Sequence, residues 1–218
     1  MIKRFEKTEG RYIEQIYGQE RLAYSHSDDT DFYDLIAWAE RGGYQGDYLT
    51  FHDLTNGKVY RPFEKKRDVV YSDPVYADRY YYFLQGDYRA GKITLYRYLP
   101  EEAAEAVTGF GFDEVKLYNL KIMGNPLYVT SQDNETFECY YPERFSIELG
   151  ARQTVSLIED GKVYIEEWVE EGWDEENSCA TDDYRFYNRV IVKDFSGNTV
   201  SEEKGFLFIA PNGDCWIA

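Results

Sequence analysis

Thr94-Leu95-Tyr96-Arg97-Tyr98-Leu99-Pro100-Glu101 is answered 42 residues further on by Thr136-Phe137-Glu138-Cys139-Tyr140-Tyr141-Pro142-Glu143. Both stretches open on Thr plus an apolar residue and leave through Tyr-x-Pro-Glu. An earlier pair, Thr50-Phe51, precedes Thr94-Leu95 by 44 residues. Further upstream, Tyr24-Ser25 with Asp28 resembles Tyr71-Ser72-Asp73 at an offset of 47, and Asp34-Leu35-Ile36-Ala37-Trp38 aligns with Arg79-Tyr80-Tyr81-Tyr82-Phe83 at 45. Gly161-Lys162-Val163-Tyr164 and Gly197-Asn198-Thr199-Val200 continue the pattern more loosely, 36 residues apart.

What repeats is β structure. Tyr48-Leu49-Thr50-Phe51-His52, Lys92 to Tyr96, Val155 to Ile158 and Val190 to Val192 are rich in β-branched and aromatic residues, as strands are. Turn chemistry separates them at Asn56-Gly57, Ala90-Gly91, Asp133-Asn134, Asp160-Gly161, Gly197-Asn198 and Asn212-Gly213. Asn-Gly and Asp-Gly reach the positive φ angles of tight hairpins at little cost. Hairpin repeats about 40 to 50 residues long are the mark of propeller blades. The expectation is therefore one all-β repeat domain over 1–218, a small β-propeller of about five blades built from antiparallel hairpins. A β-sandwich or barrel is the alternative.

Two segments also carry helical signals. Asp31 to Gly42 places Phe32, Leu35, Ile36 and Ala39 at helical spacing behind an Asp cap. The repeat alignment makes the same stretch a strand, and the strand is the reading adopted. Pro100 to Val107, with Glu101, Glu102 and three alanines, reads as a short helix with Pro at its first position.

The composition is acidic and aromatic at once. Asp and Glu number 41 against 24 Lys and Arg, a net charge of −17, and aromatics make up 18% of the chain with 22 tyrosines. Disordered acidic chains are poor in aromatics, so this one is expected to fold. Tyrosine suits the combination, because it buries a ring while its hydroxyl reaches water or a partner. An acidic surface repels phosphate backbones and anionic lipid, so neither nucleic acid nor membrane is expected as a partner. The N-terminal Met1 to Lys7 has no apolar run behind it to make a secretory signal. Three cysteines, Cys139, Cys179 and Cys215, are an odd number without close spacing. Free thiols and a cytoplasmic location are the expectation.

Chemistry is only weakly signalled. Neither His26 nor His52 stands near a Gly-x-Ser-x-Gly elbow, and no phosphate-binding glycine loop occurs. The oxygen-rich loop Ser25 to Asp31 and the acidic loops at Asp174 to Asn177 and Asp182-Asp183 do not follow a calcium-loop pattern. No metal and no cofactor are expected. The one enzymatic arrangement with a rationale is a carboxylate pair, Asp28 or Asp29 with Asp73, as in glycoside hydrolysis. Against it, Ser25, Ser72 and Asp73 can simply close turns on backbone amides. Tyr24, Tyr71 and Asp73 are the ligand-binding candidates. The leading expectation is a non-catalytic binding or interaction module for a small molecule or protein, its site at the end of a central channel. A glycoside-type hydrolase is the alternative.

Overall fold

A computed structural model describes residues 2–218. Half of the chain is strand and only 4% is helix, so it is all-β, and its antiparallel sheets do not close into a barrel. The contacts divide it into two compact units, one running to Ile122 with Ala210–Asp214, the other comprising Met123–Ile209 and Cys215–Ala218.

The first unit holds two consecutive meanders. In the first, β1 (Glu14–Gln15), β2 (Leu22–His26), β3 (Leu49–Asp53) and β4 (Val59–Tyr60) lie side by side in chain order. In the second, β5 (Val69–Tyr71), β7 (Tyr80–Asp87), β8 (Lys92–Tyr98) and β9 (Glu105–Gly111) do the same, and the short β6 (Val75–Ala77) pairs with β7. The core of this unit is aromatic. The Phe51 ring is fully buried 5.6, 6.3 and 5.2 Å from the rings of Tyr81, Phe83 and Tyr98. Three of the buried tyrosines bring their hydroxyls to polar partners. Tyr24 donates to Glu14 at 3.2 Å, Tyr81 donates to Gln19 at 3.0 Å, and Tyr71 accepts from Gln85 at 3.1 Å.

The second unit is also built of antiparallel meanders. A four-stranded meander runs β10 (Lys121–Met123, at the boundary), β11 (Tyr128–Gln132), β12 (Thr136–Tyr141), β13 (Phe145–Glu148). A second runs β14 (Gln153–Glu159), β15 (Lys162–Asp174), β16 (Cys179–Asp194), β17 (Thr199–Lys204). A last hairpin joins β18 (Leu207–Ile209) to β19 (Cys215–Ile217). Val155, Ile158, Val163 and Ile165 of the β14–β15 hairpin are fully buried with Phe137.

All six expected turns join neighbouring strands. At Asp160-Gly161 both residues have positive φ, 48° and 71°, the geometry a two-residue hairpin requires. Thr50, Thr94 and Thr136 lie on β3, β8 and β12, each the third strand of its meander. The two Tyr-x-Pro-Glu stretches both run from the end of a third strand into the turn that follows.

Three expectations need correcting. The stretch read as a strand at 31–42 is helix α1 (Phe32–Glu40). Asp31 caps it by accepting from the Asp34 amide at 2.7 Å, and Phe32 and Leu35 bury one turn apart. Local capping and helical spacing prevail there over the repeat. The stretch read as a helix at Pro100 to Val107 is a turn followed by β9. Glu105 pairs with Arg97 across the sheet and receives two hydrogen bonds from its guanidinium, 2.8 and 2.6 Å, so pairing overrides the helix formers. The Tyr-Ser…Asp elements are not topological equivalents, since Tyr24 lies on the second strand of its meander and Tyr71 on the first.

Candidate functional site

β2 carries Tyr24, Ser25 and His26 to its C-terminal end. Side chains alternate along a strand, so Tyr24 and His26 share one face, their rings edge to face at 5.7 Å. Ser25 points the other way and meets His52 Nε2 at 2.8 Å. Ser25 and His52 are buried, and neither lines the cavity described below. This hydroxyl–imidazole pair is a core contact.

His26 lies between two carboxylates. On one side is Asp47, just ahead of β3, with a side chain only 1% exposed. Its Oδ2 meets His26 Nδ1 at 2.7 Å. Its Oδ1 accepts from the Ser27 amide (2.8 Å), the Ser27 hydroxyl (2.6 Å) and the Tyr48 amide (2.7 Å). Four donors compensate the burial of this carboxylate. On the other side Asp73 Oδ1 lies 3.3 Å from His26 Nε2, an ion-pair contact without hydrogen-bond alignment. The Asp73 side chain is 72% exposed.

Burial disfavours charge on the His26 ring, but the two carboxylates outweigh it and the imidazole is pushed up to about 9. His26 is thus a cation at neutral pH. In return it holds the Asp73 carboxyl below its ordinary range. Burial, with Asp73 and Glu14 nearby, raises the Tyr24 phenol. Burial likewise pushes the Tyr71 phenol up to about 12.

The exposed side of this arrangement opens on a cavity of about 620 Å³, in the size range of small-molecule sites. Glu14, Asp28, Asp29, Asp31 and Asp73 supply carboxylates to its wall, and Arg11, His26 and Lys121 supply cations. Tyr12, Phe32 and Tyr71 supply aromatic surface. Every lining residue belongs to the first unit.

Four of the five residues singled out from the sequence, Asp28, Asp29, Tyr71 and Asp73, therefore line one cavity. The fifth, Tyr24, is buried behind it against His26, with its hydroxyl on Glu14. Asp28 is partly engaged locally. It accepts from the Asp29 amide at 2.8 Å and from Gln45 Nε2 at 3.1 Å. In the Ser72-Asp73 turn the Ser72 hydroxyl closes the backbone, accepting from the Leu84 amide at 2.9 Å. Asp73 is left to face His26 and the cavity.

The sequence reading missed His26, Asp47 and the basic wall residues. The alternation that places Tyr24 and His26 on one face was a usable signal. No spacing rule ties His26 to Asp47 or Asp73. Among the described residues, no group of three or more His, Cys, Asp or Glu side chains is arranged to hold a metal ion, and no helix is long and apolar enough to cross a membrane. Cys139 and Cys179 are free thiols, the first buried and the second exposed.

The chain matches no family model, and searches of curated proteins and of solved structures found no significant similarity.

Proposed function

We propose that the chain is a non-catalytic binding module whose ligand, a small polyhydroxylated molecule such as a saccharide, seats in the cavity beside Asp73 and His26. The observation that carries the reading is the exposed Asp73 carboxylate, set 3.3 Å from a His26 ring that is itself anchored on buried Asp47. An ionised carboxylate accepts hydrogen bonds from hydroxyl groups. The tyrosine and phenylalanine walls suit the apolar faces of a sugar ring. Mixed signs around the cavity favour a neutral ligand with many hydroxyls over a simple cation or anion.

A second reading, a glycoside-type hydrolase, is favoured by the presence of Asp28, Asp29 and Asp73 in one cavity. Such an enzyme needs one carboxyl poised as a proton donor. Asp73, lowered by His26, is suited to the nucleophile or base role only.

One experiment separates them. The purified chain is mixed with cellobiose, lactose, maltose and chitobiose, and binding is followed by calorimetry and hydrolysis by product analysis. Binding without turnover, lost in a folded Asp73→Asn variant, supports the binding module. Turnover lost in the same variant establishes the hydrolase instead. Absence of binding to all four disaccharides overturns both.

We further propose that the successive meanders are blades of a small propeller. The common third-strand position of Thr50, Thr94 and Thr136 and the sequential pairing order within each sheet support this reading.

A further inference from the structure

The β15–β16 hairpin is longer than the strands that flank it. β14 pairs with β15 over Lys162 to Glu167, and β17 pairs with β16 over Arg189 to Lys193. Past those limits, residues 168–188 form a two-stranded ribbon, and among the described residues neither outer edge is paired with another strand.

A row of aromatic rings runs along this ribbon. Trp168 and Phe186 are 6.4 Å apart between centroids, Phe186 and Tyr184 6.4 Å, and Tyr184 and Trp173 6.0 Å. Phe186 is 66% exposed, far more than a side chain retained for core packing. The setting is strongly acidic. Between Trp168 and Asn188 there are seven carboxylates and one basic residue, Arg185, which is paired with Glu171.

The chain itself shows what this surface accepts. The Arg152 guanidinium lies 4.8 Å over the Trp168 ring and donates to Glu170 at 3.0 Å. The other oxygen of Glu170 accepts from the Tyr184 hydroxyl at 2.7 Å. A guanidinium stacked on a ring and hydrogen-bonded to an adjacent carboxylate is thus already built at the base of the row. Further along, Phe186 and Trp173 carry no cation over their rings among the described residues.

We propose that the ribbon is a docking surface for an arginine-rich peptide segment of a partner protein, whose guanidinium groups continue the row over Phe186 and Trp173. Charge complementarity selects a basic partner. Planar stacking selects arginine over lysine, because guanidinium stacks on aromatic faces and forks onto carboxylates while an ammonium is a strongly hydrated point charge.

The test uses fluorescent nine-residue peptides of alternating arginine and serine, or lysine and serine, titrated into the full chain and followed by anisotropy. The arginine peptide is expected to bind several-fold tighter than the lysine peptide. Phe186→Ala leaves the net charge unchanged and removes an exposed ring, and it should weaken the arginine peptide about threefold, the size of effect expected for one exposed cation–π contact, and the lysine peptide by less. Trp173→Ala, checked by circular dichroism, should act in the same direction. Equal binding of the two peptides, or arginine-peptide binding indifferent to both substitutions, would show only polycation attraction to an acidic chain and overturn the proposal. Absence of binding by the arginine peptide also overturns it.

Discussion

At the scale of single residues, His26 is held by two carboxylates in opposite settings, Asp47 buried under four donors and Asp73 largely in solvent. This has a consequence for stability. The His26 ring is raised from its ordinary 6.5 to about 9 on folding, so its contribution is fully present below pH 6.5 and is lost as pH rises through 9. Linkage puts that contribution on the order of 3 kcal/mol. Urea denaturation at pH 6 and pH 10 should show the wild type losing more stability than His26→Asn over that interval, whereas equal losses would contradict the charged state assigned to His26. Asp47→Asn should cost more than Asp73→Asn, because it disturbs a buried carboxylate with several partners. Asp73 is singled out in the sequence by a Tyr-Ser resemblance that the topology does not uphold. Asp47 is not singled out, since its meeting with His26 depends on the register of β2 against β3, where Ser25 faces Thr50 and His26 faces Leu49.

At the scale of elements, hairpins were legible because their turns are local chemistry. Each Asn-Gly, Asp-Gly or related pair fixes its own backbone. The helix α1 is legible by the same logic, from its Asp31 cap and the helical spacing of Phe32 and Leu35. Its cap is measurable: Asp31→Ala should cost about 1 kcal/mol in thermal or urea unfolding, as N-cap losses do. The helix also depends on a residue far along the chain. A Cβ built on Gly86 of β7 would come within 2.7 Å of the Phe32 ring and 3.3 Å of Ile93. Gly86→Ala is therefore expected to destabilise the first unit by about 1–3 kcal/mol through overpacking, and an unchanged denaturation midpoint would show that Phe32 does not sit against β7. Pro100 to Val107 failed as a helix because no local signal reports that β8 needs an antiparallel neighbour.

At the scale of the whole molecule, the acidity and the tyrosines resolve into two uses. Tyr24, Tyr71, Tyr81 and Tyr98 build the core of the first unit around Phe51. Phe51→Ala should cost about 3–5 kcal/mol, the usual range for a fully buried phenylalanine, readable as a lowered urea midpoint. Many carboxylates lie on turns, where Asp53, Asp133, Asp174 and Asp194 accept from nearby backbone amides. Among the cavity carboxylates Asp73 is different, because it faces the His26 ring and open space together. The central claim is that this cavity is where the protein binds its ligand. The most direct measurement is an isotope-edited NMR titration of the full chain with whichever of the four disaccharides binds in calorimetry, following backbone amides and the His26 ring. The account predicts that shifts concentrate at Asp28, Asp29, Tyr71, Asp73 and the His26 imidazole, and vanish in Asp73→Asn. Shifts confined to the second unit, with the His26 ring unmoved, would contradict it.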